Sequence, residues 1–337
     1  FQVASVSKAV SAFGLLRLAA ARGVDVCLLE RASQPGGVIA RVESFGYQFD
    51  PGVGIYPCWD AGEIHDRVFS ELPVAKPKIQ FETPAYLVRM PDQVDVPVSG
   101  NDEQFYEELR SVFPDAVENG IDFYKQCAAF TDALRTGKTP SETQTVSSYL
   151  TNIPYRFRHF IEAQLQLLTQ SSIETCDFAR AAVALTIPRR GAFSIQGGAA
   201  TLADSLAEAI KKSGGRLRLD TPVLRLSYDS NDRAVGVDLL SGERVEASRA
   251  IVSNLTVWDT FGKLIGLNRT PAEIRKALGS MKGWGAYLLY LGIDDPTAAR
   301  LPANRVLLVS QDGNVDPESF YTVSMAPAWD PRAPEGK

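Results

Sequence analysis

The chain is short of the residues that metal and nucleophile chemistry needs. Histidine occurs twice, at His65 and His159, so zinc sites and Ser-His-Asp triads are poorly supplied. His159 lies within Arg156-Phe157-Arg158-His159-Phe160 and reads as a solvated or core-edge residue. The four cysteines, Cys27, Cys58, Cys127 and Cys176, stand far apart without CxxC spacing. That argues against a cysteine zinc site or a dithiol redox motif, and for a reduced, intracellular setting. Excess positive charge is missing too: the formal net charge is −5, which argues against a broad nucleic-acid surface. No apolar run reaches the roughly 18 residues of a membrane-spanning helix. The stretch Ala9–Ala21 is interrupted by Arg17 and followed at once by a strand-like run, so it reads as a domain helix rather than a signal peptide. Internal repeats and low-complexity segments are absent.

What is present is an α/β pattern long enough for two domains. Val3–Val6 is a short apolar run, followed by Val10, Phe13, Leu16 and Ala20 at helical spacing, and by Gly23 at a helix C-terminal position. Val24–Leu29 reads as a buried strand that ends in Glu30-Arg31. Strand, helix and strand in this order form the βαβ unit of a dinucleotide-binding fold. Such a unit needs a tight turn, close backbone approach and a helix N-terminus aimed at the phosphates. Here Ser7, Ala9 and Ala12 stand where G-x-G-x-x-G has glycines, so the fingerprint is degraded though all three residues are small. Glu30, 23 residues after Ser7, is at the spacing where an acid accepts hydrogen bonds from ribose hydroxyls.

Residues 76 to about 190 mix aromatics and charge with helical periodicity, as in Asp102–Phe113 and Tyr155–Leu168, and read as a partly helical insertion. From Gly191 the α/β pattern returns. Thr201–Ser213 is an amphipathic helix stopped by Gly214-Gly215. Arg216–Leu219 and Val223–Tyr228 read as strands, and Ala234–Leu240 to Val245 as a hairpin turned at Ser241-Gly242. Ala250–Val252, Ala286–Gly292 and Val306–Ser310 read as further strands. The division expected is a cofactor domain of residues 1–75 and 191–265 and a substrate domain of residues 76–190 and 266–337.

Glu30-Arg31, a short spacer, Gly36-Gly37 and then Phe49-Asp50-Pro51-Gly52 resemble the amine-oxidase and phytoene-desaturase superfamily of FAD enzymes. A second block strengthens the resemblance: Gly197-Gly198, a helix, Gly214-Gly215, the strand opening at Val223, and a segment ending in Ser253-Asn254. The resemblance implies a Rossmann-like FAD-binding domain with an inserted α+β substrate domain. It implies FAD contacts from Ser7, Ala9, Ala12, Glu30, Arg31, Gly36, Gly37, Asp50, Gly52, Gly197, Gly198, Val223, Ser253 and Asn254. In the family the Gly-Gly turn lies near the flavin's phosphate and ribitol, the Phe-Asp-x-Gly segment leads toward the isoalloxazine, and the valine touches adenine.

A third block, Phe160–Leu165, Leu185–Gly191, Gly283–Tyr287 and Ala328-Trp329-Asp330-Pro331, is similar to the carotenoid 3,4-desaturase branch. The function this implies is FAD-dependent desaturation of an acyclic carotenoid, with loss of a hydride and a proton. The substrate is then a lipophilic polyene, with the electron acceptor open and no catalytic base evident. Phe160, Leu165, Leu168, Tyr287 and Leu289 are candidates for an apolar tunnel, although most of them serve equally well as core. Peripheral membrane contact accompanies a lipid substrate, in a cytoplasmic setting or in a plastid if the source is a photosynthetic eukaryote. Two other readings stay open: carotenoid cis–trans isomerisation in the same fold, and a flavin-free binding or vestigial relative, which the degraded glycine turn favours. The family's Gly- and Pro-rich C-terminal segment is not found, so the chain is expected to be cut within its substrate domain.

Overall fold

A strand survives only where a neighbour takes up its N–H and C=O groups. In the computed structural model, which describes residues 25–52, 54–138, 144–281, 285–292, 304–308 and 320–334, that requirement decides which apolar runs become strands. Ser7, Ala9, Ala12, the helix expected over Ala9–Ala21 and the first strand lie outside the described residues.

The chain runs through β1 (Cys27–Leu29), a hairpin of β2 (Val42–Ser44) and β3 (Tyr47–Phe49), β4 (Tyr56–Pro57) and α1 (Ile64–Ser70). Next come β5 (Ile79–Glu82), β6 (Tyr86–Arg89), β7 (Asp95–Val98), α2 (Asp102–Val112), α3 (Val117–Arg135), α4 (Val146–Tyr149), α5 (Tyr155–Thr169) and α6 (Phe178–Arg190). β8 (Ala192–Ile195) leads into α7 (Ala199–Lys212), followed by β9 (Arg216–Arg218), β10 (Val223–Tyr228), β11 (Ala234–Leu239) and β12 (Arg244–Glu246). A π-helical segment, Trp258–Leu264, precedes α8 (Ala272–Ser280), β13 (Asn304–Leu308) and β14 (Phe320–Ser324).

β1 and β9 lie parallel, Cys27 opposite Arg216 and Leu29 opposite Arg218. The helix between β8 and β9 buries Leu202, Ala203, Leu206, Ala209 and Ile210, one stripe at three- and four-residue spacing. That stripe packs with Ile39, Tyr56, Trp59, Phe69, Phe193 and Ile195 into one core. β8 pairs antiparallel with both β4 and β5, and all four of its residues are buried. β10, β11 and β12 form an antiparallel meander, as the hairpin at Ser241-Gly242 requires.

A second core gathers around α2, α3, α5 and α6. Asn101 starts α2 by accepting the Gln104 N–H at 3.0 Å, and Asp177 starts α6 by accepting that of Arg180 at 2.8 Å. Phe105, Phe123, Phe157, Phe160, Leu165 and Leu185 fill the interior, with Leu168 packed against it. Gln164, fully buried, accepts the hydroxyls of Tyr86 and Tyr124, each at 3.0 Å, and donates to Phe160 O at 2.9 Å. β6 and β7 extend this unit into a sheet of order β14-β13-β6-β7, with β13 parallel to β6.

Two sequence expectations fail. Ala250–Val252 is not a strand; Val252 is 57% exposed. Ala286–Gly292 is not a strand either, and Tyr287 and Leu289 are 94% and 69% exposed, so neither is core. Among the described residues neither segment has a strand beside it, and an apolar run without a partner stays irregular. Of the two readings of His159, solvated or core-edge, the structure has the second: it is 8% exposed and lies against the Tyr155 ring, with its pKa lowered by burial and by Arg158.

Candidate cofactor site

Glu30 ends the first described strand. Its N–H donates to Arg218 O at 2.9 Å and its carbonyl accepts the Thr221 N–H at 2.8 Å. Asp220, at φ +50, turns back so that its N–H reaches Ala32 O at 3.0 Å. These bonds prolong the β1–β9 pairing and bring the turn before Val223 alongside Glu30. The carboxylate is fixed by the Ala32 N–H, which donates to Glu30 Oε1 at 2.8 Å, and it remains half-buried. Arg31 is exposed. Asp259 sits below the usual carboxylate range, chiefly through Lys263 at 2.6 Å and Thr256, with a smaller contribution from Arg31. Ser253 and Asn254 stand on an exposed segment, with Ser253 Oγ 2.7 Å from Thr260 Oγ1. Among the described residues neither bonds to Glu30, Gly36-Gly37 or Gly197-Gly198.

Six residues after Glu30 the chain turns at Gly36 (φ +114) and Gly37 (φ +56). The two glycines do different things. A Cβ on Gly36 would meet Ala203 Cβ and Ala40 N, both at 3.1 Å, so Gly36 lets the turn pack on α7. A Cβ on Gly37 would meet nothing within 4 Å, so Gly37 faces open space. Arg41 follows. Its Nη2 donates to Asp204 Oδ2 on α7 at 3.3 Å, while its Nε is buried without a hydrogen-bond partner. An unsatisfied buried guanidinium nitrogen beside a glycine turn fits an anionic oxygen.

The start of α7 is closed by carboxylates. Gly197 (φ +72) donates its N–H to Asp330 Oδ2 at 2.7 Å, and Ala199 donates to Asp50 Oδ2 at 3.3 Å. Negative charge here meets the positive end of the helix. Asp50 also accepts the Gly52 N–H at 3.2 Å and, in a short hydrogen bond, the Tyr56 hydroxyl. Burial first, then the Asp50 charge, push the Tyr56 hydroxyl well above the ordinary phenol range, so it remains a donor. Arg332 lies between the acids: Nε donates to Asp330 Oδ2 at 2.8 Å, Nη2 to Ile195 O at 2.9 Å, and Nη1 is 3.7 Å from Asp50 Oδ2. Trp329 Nε1 donates to Ser194 Oγ at 2.8 Å on the neighbouring strand.

The structure therefore brings Glu30 next to the turn that precedes Val223, and brings Gly36, Asp50, Gly52, Gly197 and Gly198 around the start of α7. Ala199 and Ala203 are one turn apart on that helix, about 6 Å. It adds Arg41, Tyr56, Asp330 and Arg332, which the sequence did not single out as a site. Arg41 had a faint signal as a base close to a glycine pair; the others have none at short range. Among the described residues no cluster of His, Cys, Asp and Glu could hold a metal ion. The hairpin that leads into Asp50 lines an open cleft of about 600 Å³ with Val42, Glu43, Ser44, Phe45, Tyr47 and Phe49, and Tyr290 and Gly292 line it too. The Phe49 and Tyr290 ring centroids are 5.0 Å apart.

The donor set fits an extended dinucleotide. A half-buried carboxylate at a parallel strand end suits a ribose diol, and the open face at Gly37 with the unpartnered Arg41 Nε suits phosphate. A sequence profile described as flavin containing amine oxidoreductase matches residues 16–337. The chloroplastic prolycopene isomerase of Daucus carota is 27% identical over 284 residues, covering 75% of this chain and 46% of its own length. The Arabidopsis thaliana chloroplastic prolycopene isomerase is 25% identical over 283 residues, with 75% and 47% covered. The chain spans about half the length of the curated relatives it matches. An oxidoreductase from Methanosarcina mazei shares the fold, with a TM-score of 0.60 at 15% identity over 80% of this chain and 63% of its own.

Proposed function

The chain belongs to the flavin containing amine oxidoreductase family, with FAD as its cofactor, and from that premise we propose that it acts on the conjugated chain of a lipophilic polyene. The observation that carries the reading is the match to prolycopene isomerases over three quarters of the chain. We favour cis–trans isomerisation of a carotenoid-type substrate. Desaturation, at the 3,4 bond, is the second reading, and it rests on the resemblance of Leu185–Gly191 and Ala328–Pro331 to that branch.

In this proposal residues 1–75 and 191–265 hold the cofactor, and residues 76–190 and 266–337 the substrate. Glu30 takes the ribose hydroxyls, with Val223 beside the adenine and Arg31 near by. Gly37 leaves room for the pyrophosphate, which Arg41 Nε meets as a donor, and the Gly36 turn keeps that face seated on α7. Asp50 and Tyr56 hold Gly52 at the far end. Bound there, FAD supplies the two-electron redox chemistry that the side chains lack. The residues need supply no acid–base pair: burial and Lys76 lower His65 to about 4, and burial and Arg158 lower His159, so both are neutral at pH 7. The aromatic cleft beside Asp50 offers an extended apolar chain a surface of Tyr47, Phe49 and Tyr290.

Among the described residues no helix is long and apolar enough to cross a membrane. Contact with a lipid surface is proposed through exposed apolar side chains such as Phe45 (96%) and Tyr287 (94%). The test is incubation of the purified, FAD-loaded protein with a poly-cis carotenoid and, separately, an acyclic all-trans one. Isomerisation changes the absorption and retention of the product at constant mass, whereas desaturation removes two hydrogens. A protein that takes up flavin and converts neither substrate refutes the proposal.

A further inference from the structure

We propose that Arg332 is a positioning residue for the flavin half of the cofactor, acting through Asp50. Its side chain is 8% exposed, and those of Asp50 and Asp330 are each 9% exposed, so all three are withdrawn from solvent. Both acids place an oxygen at the start of α7, Asp330 on Gly197 N and Asp50 on Ala199 N. The helix end supplies only about half a positive charge. Arg332 adds a full positive charge to that half, and it is the guanidinium that lets two buried carboxylates share one helix start.

The packing leaves no slack. A Cβ on Gly198 would lie 2.7 Å from Asp50 Oδ2 and 2.8 Å from Arg332 Nη1. Without the guanidinium the two carboxylates repel, and Asp50 must either swing off the helix start or shift with its backbone. Either response is passed on, because Asp50 holds the Gly52 N–H and the Tyr56 hydroxyl. The Glu30 end is insulated: its hydrogen bonds run to Ala32, Arg218 and Thr221 and to none of this cluster. Arg332 also keeps its segment in place by a second route, since its carbonyl accepts the Gln48 N–H at 2.8 Å on β3. Loss of the side chain is therefore a change of charge and alignment rather than release of the segment.

The consequence is a split between the two halves of one ligand. Purified chains carrying Arg332→Met, Arg332→Lys or Asp330→Asn are titrated with FAD and, separately, with ADP, alongside thermal melts by circular dichroism. Arg332→Met is expected to weaken FAD at least tenfold and to leave ADP within twofold. Arg332→Lys, which restores the charge without the fork, is expected to recover at least half of that loss on a logarithmic scale. Asp330→Asn leaves the Arg332–Asp50 pair intact and is expected to cost less than Arg332→Met; it serves if the methionine variant does not fold. Equal weakening of FAD and ADP, or FAD affinity unchanged within twofold, overturns the proposal. So does a wild-type chain that binds ADP but not FAD, or neither.

Discussion

Gly36 and Gly37 are adjacent and chemically identical, yet the structure assigns them opposite sensitivities. Alanine at Gly36 must adopt φ +114, outside the region any L residue favours, and its methyl would stand 3.1 Å from Ala203 Cβ and from Ala40 N. Strain of roughly 1–2 kcal/mol and overpacking of roughly 1–3 kcal/mol add to a loss of about 2–5 kcal/mol. Alanine at Gly37 sits at φ +56, in the left-handed well, and meets no atom within 4 Å. Its cost is about 1 kcal/mol of strain. The methyl projects instead onto the face where pyrophosphate is proposed to lie. Gly37→Ala should thus fold nearly as well as wild type and bind FAD about tenfold more weakly, about 1.4 kcal/mol. Gly36→Ala should show the reverse emphasis, with a large shift in urea midpoint. Urea melts by circular dichroism and FAD titration by flavin fluorescence read both quantities on the same samples. If Gly37→Ala binds FAD as wild type does, or if the two variants lose equal stability, the assignment of open and packed faces is wrong.

Glu30→Gln keeps the shape but removes the charge proposed to accept two ribose hydroxyls; FAD and ADP affinity should fall together by about tenfold, about 1.4 kcal/mol, by isothermal titration. Gln164→Leu strands the Tyr86 and Tyr124 hydroxyls in a fully buried site and should cost about 2–5 kcal/mol by urea melts, with part restored by adding Tyr86→Phe and Tyr124→Phe. His65, stacked on Trp59, has its pKa lowered from 6.5 to about 4, first by burial and then by Lys76. Its contribution to stability is complete above the unfolded value and is lost as pH falls toward the folded one, so between pH 7 and 5 the wild type should lose about 2 kcal/mol more than His65→Leu; equal losses would contradict it.

What the sequence revealed of this fold and what it hid follow from the range of the forces involved. The helix expected at Thr201–Ser213 is found at Ala199–Lys212, because one buried stripe fixes both its existence and its orientation. The hairpin at Ser241-Gly242 was equally plain, since Gly242 supplies φ +88 at the turn itself. Ala250–Val252 and Ala286–Gly292 misled, because an apolar run says that a segment tolerates burial, not that another strand lies beside it. The candidate site divides the same way. Gly36, Gly37, Gly197 and Gly198 announce themselves through local backbone demands. Asp330 and Arg332 do not: their bonds to Gly197 and Ile195 span 133 and 137 residues, and no periodicity or turn chemistry encodes a meeting at that distance. Asp330 stands in the Ala328–Pro331 motif, but the motif does not say that Asp330 and Arg332 are buried against a helix start. The glycines mark where the chain bends around the proposed cofactor site. The charges that hold those bends together become visible only once the chain is folded, and for that reason perturbing Arg332 tests the site more sharply than removing a glycine that the sequence already singles out.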